Sequence, residues 1–200
     1  MTTIYFMRHS ETLKYININN NDSLQIQNEK WPLTINGELI AREKSMQGEL
    51  ANFDIVYSSN YVRAISTAKY FTKDKINIDE SFGERKFGIN NWEELPIDFG
   101  EKQFIDFDYK MNNGESLNEV IDREMNSLNR ILNENKNKKI LVVGHSTALA
   151  ALFSKWCEVN YTEAYKYNGK EFFDGKWNHC ETFKLEFDDN NNLINIQNIR

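Results

Sequence analysis

Short apolar runs alternate along the chain with longer stretches of helical period, the pattern of an α/β domain whose sheet is mostly parallel. Four runs carry it, at residues 4–7, 55–57, 76–78 and 140–143, each rich in β-branched or aromatic side chains. The last is nearly continuous in apolar character, as expected for a central strand covered on both faces. Two further runs, 183–187 and 193–199, flank Asp188-Asp189-Asn190-Asn191-Asn192. Asx residues favour a turn there, so the pair reads as a C-terminal hairpin or sheet edge. The clearest helix starts at Ser116, which has capping-box spacing to Glu119. Leu117, Val120, Ile121, Leu128, Ile131 and Leu132 then recur at helical intervals. Other helices are expected over 36–50, 60–71, 97–109 and 148–156.

Composition narrows the picture. Two hundred residues, 40% hydrophobic and 13% aromatic, suit one domain with a sizeable core, expected to span 1–200. Twenty-four Lys and Arg against 30 Asp and Glu give a net charge of −6 with both signs interspersed, which argues against a nucleic-acid partner. No apolar run approaches the roughly 20 residues needed to cross a bilayer. Met1 leads almost directly into the first expected strand, so neither a membrane span nor a signal peptide is expected. Cys157 and Cys180 lack CxxC spacing, which suggests neither a disulfide framework nor a cysteine zinc site and fits a reducing, cytoplasmic setting.

The candidate chemistry gathers at strand ends. His9 follows the first strand and His145 follows the run 140–143 and Gly144. In open parallel sheets the loops after the carboxyl ends of strands form the ligand crevice, so these two imidazoles are expected in one pocket. A single histidine so placed is more often structural, but the neighbours change the weighting. Arg8 adjoins His9, and Arg63 falls in the first turn of the helix after the second strand. An arginine there opposes the helix dipole unless an anion is close. Phosphate fits, because guanidinium groups match its oxygens in bidentate fashion. Either arginine alone would read as a surface salt bridge. Glu84 follows the third strand between Gly83 and Gly88. Together these residues supply the parts for phosphoryl transfer through a phosphohistidine: a neutral imidazole nucleophile, a cationic clamp and a carboxyl proton donor. No metal and no cofactor is required.

Five ordered segments resemble the histidine phosphatase superfamily, which includes the cofactor-dependent phosphoglycerate mutases. Met7-Arg8-His9-Ser10-Glu11-Thr12 is similar to its Arg-His-Gly-Glu-Thr signature, and Ser58-Ser59-Asn60-Tyr61-Val62-Arg63 to its second segment. Glu84-Arg85-Lys86-Phe87-Gly88 resembles the acid/base segment, Asn113-Gly114-Glu115-Ser116-Leu117 the Gly-Glu-Ser helix start, and Val143-Gly144-His145-Ser146 the second-histidine motif. Trp31-Pro32-Leu33-Thr34 is similar to the stretch before the first helix. The resemblance implies a three-layer α/β/α sandwich. It further implies that His9 is the nucleophile, that Arg8, Arg63 and His145 bind phosphate, and that Glu84 is proton donor and later base.

Departures bear on substrate. Ser10 stands where the family has glycine, and Ser146-Thr147 where it often has Gly-Gly. Both serines are candidate substrate contacts, with Asn17 standing in for an asparagine whose usual position holds Tyr15. The segment 92–113, a candidate lid, is acidic through Glu93, Glu94, Asp98, Glu101, Asp106 and Asp108, while its aromatic residues read mainly as core. A mutase would carry arginines in a longer insertion here; none lies between Arg85 and Arg123. A second anion would meet repulsion from these acids, so the expectation is a small phosphomonoester with a neutral or apolar remainder. Mutase-type transfer and phosphate binding without turnover are the alternatives. His179 reads as structural. The aromatic stretch 161–173 reads as pocket rim or oligomer interface, and a homodimer is a candidate assembly.

Overall fold

Alternation along the strands decides the architecture. In the computed structural model, which describes residues 1–15 and 22–200, β1 spans Thr2–Arg8. Ile4 and Phe6 enter one buried cluster and Tyr5 and Met7 another, on the opposite face of the sheet. Helix α1 (Leu24–Lys30) and helix α2 (Ile35–Ser45) follow, then β2 (Ile55–Ser58), α3 (Val62–Ala68) and β3 (Ile76–Ile78). Next come α4 (Phe99–Ile105), α5 (Leu117–Glu134), β4 (Lys139–Gly144) and α6 (Ser146–Phe153). A small hairpin of β5 (Tyr165–Tyr167) and β6 (Lys170–Phe173) precedes β7 (Thr182–Phe187) and β8 (Leu193–Ile199).

The six-stranded sheet runs β3-β2-β4-β1-β7-β8. Its first four strands are mutually parallel, while β7 is antiparallel to β1 and β8 to β7. Helices cover both faces, which makes the three-layer α/β/α sandwich expected from the resemblance. One face packs α5 and α6 through Leu128, Ile131, Leu149 and Phe153; the other packs α2 and α3 through Ala41, Ala64 and Ala68. Central β4 is buried from Ile140 to Gly144, as its continuous apolar run requires. The registers Met7↔Thr182 and Thr182↔Ile199 carry the end of β8 to the same edge of the sheet as the end of β1.

The predicted helices exist with shifted ends. The stretch 36–50 breaks at Ser45 and resumes as a single 3-10 turn, Gly48–Leu50. Helix α3 is shorter than 60–71, α4 shorter than 97–109, and α6 begins at Ser146, directly after His145. Within the stretch 161–173, Tyr165 and Phe173 are core, buried against Trp177 and Phe183, while Tyr161 is exposed. Both cysteines are free and buried, and among the described residues no helix is long and apolar enough to cross a membrane.

Helix α5 starts with the capping box read from the sequence. The Ser116 hydroxyl accepts from the Glu119 amide while the Glu119 carboxylate accepts from the Ser116 amide. Ser116 is itself buried, so its loss strips helix-end donors that water cannot easily reach. Ser116→Ala should lower the unfolding free energy by about 1–2 kcal/mol, read from urea denaturation, with the secondary structure otherwise kept.

Candidate active site

Three strand ends and the loop after a fourth converge on one cavity of about 550 Å³. Arg8 closes β1 and His9 follows it; the His9 amide donates to the Gly144 carbonyl at 2.9 Å, which fixes this loop to the end of β4. Arg63 stands at the start of α3 after β2, and His145 caps α6 after β4. Glu84 comes from the loop that follows β3. Arg8, His9, Arg63, Glu84 and Ser146 all line the cavity.

The His9 ring has a defined tautomer. Its Nδ1 lies 2.6 Å from the Ser10 carbonyl, which only accepts, so Nδ1 carries the proton and Nε2 the lone pair. Nε2 accepts from Arg63 Nε at 3.2 Å. Desolvation, reinforced by Arg63 and Arg8, holds the His9 pKa well below its ordinary value and so keeps the ring neutral.

Arg63 is 5% exposed and spends its guanidinium on three partners: His9 Nε2, the Asn28 carbonyl at 2.5 Å, and His145 Nδ1 at 3.4 Å. Burial pulls its pKa down to about 10, still far enough above neutrality to keep it charged. The Tyr61 ring lies 4.5 Å beneath that charge. His145 is fully buried, with its centroid 5.1 Å from that of His9. Because an arginine only donates, Nδ1 of His145 is the acceptor, and its Nε2–H donates to Ser59 Oγ at 2.9 Å. Desolvation, with Arg63 next, also holds this imidazole neutral. Arg8 reaches across from β1 and donates to the Trp177 carbonyl.

Glu84 is positioned by its own chain and by Arg123. Its carboxylate accepts from the Arg85 amide at 2.9 Å. Arg123, on α5, donates to the carbonyls of Ser81, Gly83 and Glu84 and holds the Glu115 carboxylate through two nitrogens. Gly88, at φ +69°, lies against Gly114, where a Cβ would meet the Gly114 nitrogen at 2.0 Å. This close approach joins the Glu84 segment to the start of α5.

Other sequence-predicted contacts separate here. Ser146 lines the cavity; Asn17 lies outside the described residues. Ser10 does not serve as predicted. It is fully buried, its hydroxyl donates to the Gly37 carbonyl at 2.7 Å, and its amide donates to Thr67 Oγ1. The serine therefore braces the nucleophile loop against α2 and α3. The acidic segment also departs from expectation, because Trp92 is its cavity-lining residue. Glu94, Asp98, Asp106 and Asp108 pair with Asn91, Lys102, the Asp108 amide and Asn118. The repulsion argument against a second anion therefore does not hold. Lys14, on the cavity lining, adds positive charge instead.

Sequence reasoning missed Asn28, Lys14, Ser59 and Arg123 as site residues. Asn28 acts through a backbone carbonyl, for which side-chain identity gives no signal. Among the described residues no group of three or more His, Cys, Asp or Glu side chains converges as a set of metal ligands.

The chain matches the histidine phosphatase superfamily (branch 1) over residues 4–199. It belongs to that superfamily. An "uncharacterized phosphatase PhoE" of Bacillus subtilis (strain 168) is 31% identical over 159 residues, covering 78% of this chain and 77% of the relative. The YhfR structure from Bacillus stearothermophilus superposes with a TM-score of 0.70 at 20% identity, covering 97% and 95% of the two chains. A phosphoserine phosphatase of Entamoeba histolytica, solved with 3-phosphoglyceric acid, gives 0.68 at 22% identity, covering 97% and 94%. These likenesses place the fold within the superfamily.

Two neutral histidines, His145 buried and His9 half-buried, couple stability to pH. The unfolded chain binds protons at both below about pH 6.5 while the native state resists, so stability is present above that value and is lost on acidification. The loss is up to about 1.4 kcal/mol per histidine per pH unit. The urea midpoint should therefore fall between pH 7 and 5, and His145→Asn should flatten that dependence.

Proposed function

We propose that the protein is a phosphomonoesterase that works through a phosphohistidine on His9. The observation that carries this reading is the His9 tautomer: Nδ1–H is committed to the Ser10 carbonyl, and the basic Nε2 belongs to a ring that lines a cavity with Arg8, Arg63 and Glu84. In the first step Nε2 attacks phosphorus and the bond to the ester oxygen breaks. Glu84 gives that oxygen its proton, so the leaving group departs as an alcohol. Arg63 transfers its Nε hydrogen bond from Nε2 to a phosphoryl oxygen as the new N–P bond forms, and Arg8 shares that charge. His145, which is not on the cavity lining, acts by positioning Arg63 through its Nδ1 acceptor instead of touching phosphate as the resemblance implied. In the second step water attacks the phosphohistidine, Glu84 takes the water proton, and phosphate leaves with imidazole restored.

Hydrolysis is favoured over mutase transfer because residues 86–122 contain no arginine to hold a second anionic substrate group. The same segment includes the proposed lid at 92–113, and its support is Trp92, which stacks on Trp31 over the cavity. The substrate is a small phosphorylated metabolite, and the reaction needs no metal. Lid, homodimer and cytoplasmic setting complete the reading.

Chelator-treated protein should hydrolyse 4-nitrophenyl phosphate and yield an acid-labile, base-stable phosphoenzyme on rapid quench. His9→Ala should abolish the phosphoenzyme and lower turnover by about 10³-fold or more. Activity lost to chelation, or kept by His9→Ala, would refute the mechanism. Glu84→Gln should slow phosphoenzyme formation from alkyl phosphates by about 10²-fold and from 4-nitrophenyl phosphate far less, because nitrophenolate leaves without a proton, and should slow phosphoenzyme breakdown equally for both.

A further inference from the structure

The cavity that holds His9 has one wall made of rings. Trp31 is nearly buried, and its indole N–H donates to the Tyr15 carbonyl at 2.6 Å. Trp92 stacks on it, with centroids 5.9 Å apart and planes 28° from parallel. Phe87 meets Trp92 edge-on at 5.2 Å and is backed by Phe99 at 6.1 Å. The Arg85 guanidinium lies over both phenyl rings, 5.0 and 5.5 Å from their centroids. Each ring is thus held by another ring, a cation or a backbone bond, so the wall keeps its shape. Tyr15, Trp31, Phe87 and Trp92 all line the cavity, whose volume of about 550 Å³ exceeds the needs of a phosphate group alone.

The charges on the lining are as uneven as its surface. Arg8, Lys14 and Arg63 face it with one carboxylate, Glu84. A cationic leaving group is therefore disfavoured. Thr12, Tyr15, Asn28 and Ser146 are the uncharged polar side chains on the lining, few for a hydroxyl-rich sugar. We propose that the ester taken by this site has a flat aromatic leaving group that stacks against Trp92 and Phe87 while its phosphate meets Arg8 and Arg63. This rests on the phosphatase reading and names its substrate class.

Three primary-alcohol phosphates separate flatness from leaving-group reactivity: 2-phenylethyl phosphate, 2-cyclohexylethyl phosphate and glucose 6-phosphate. The parent protein should show a kcat/KM for the phenyl ester about fivefold or more above each of the others, carried by KM. Trp92→Leu should erase the phenyl-over-cyclohexyl preference by raising the phenyl KM alone, and Trp92→Phe should restore it. Direct titration of His9→Ala with the same three esters should show the same order of Kd. Equal values for the phenyl and cyclohexyl esters, a preference for the sugar, or a preference unchanged in Trp92→Leu would overturn the proposal. Preferential binding of the phenyl ester without turnover by the parent would overturn the phosphatase reading and leave the aromatic site standing.

Discussion

A guanidinium charge buried between two neutral imidazoles is the constraint on which the site depends. Arg63 cannot shed its proton near neutrality, and both histidines accept from it through unprotonated nitrogens. Each partner defines the state of the others. The Ser10 carbonyl sets the proton on His9 Nδ1, Ser59 takes the proton of His145 Nε2, and the Asn28 carbonyl fixes the third arm of the guanidinium. Burying a charge is costly unless hydrogen bonds or an anion compensate. A phosphoryl group supplies compensation of the right sign, so the same desolvation that strains the folded protein strengthens its hold on a dianion.

The fold supports this arrangement because the cluster sits on rigid elements. Arg8 ends a strand paired on both sides, His145 joins the buried central strand to its helix, and Arg63 begins α3. Glu84, by contrast, stands on a loop and depends on Arg123 and the Gly88–Gly114 approach for its position. The base and the nucleophile therefore have different mechanical supports, one from the sheet and one from α5.

Much of this was legible in the sequence. The strands were visible because burial on both faces demands unbroken apolar runs, and Ser116 with Glu119 announced α5 by chemistry that needs both residues. His9, Arg63 and His145 were found through their positions after strands, and the structure brings them together. Helix α1 was missed because Leu24–Lys30, with Leu24 and Ile26 its sole apolar residues, shows no helical stripe. The β5–β6 hairpin did carry a signal, Asn168-Gly169, and both residues adopt the positive φ that such turns require. The Ser10 reading failed for a different reason: a hydroxyl next to a nucleophile says nothing about which side of the loop it faces. Likewise, the charge count of 92–113 did not reveal that none of its carboxylates lines the cavity.

The strand directions also set where the two chain ends emerge. Met1 precedes β1 at the end of the sheet opposite the cavity, its ammonium held by Asn137 and Asp189. Residue 200 follows β8 on the cavity side, two strands from Met7, beside Lys44 and His179. An affinity tag or immobilising linker attached ahead of residue 1 would thus project away from the chemistry, whereas one fused after residue 200 would crowd the reactive edge.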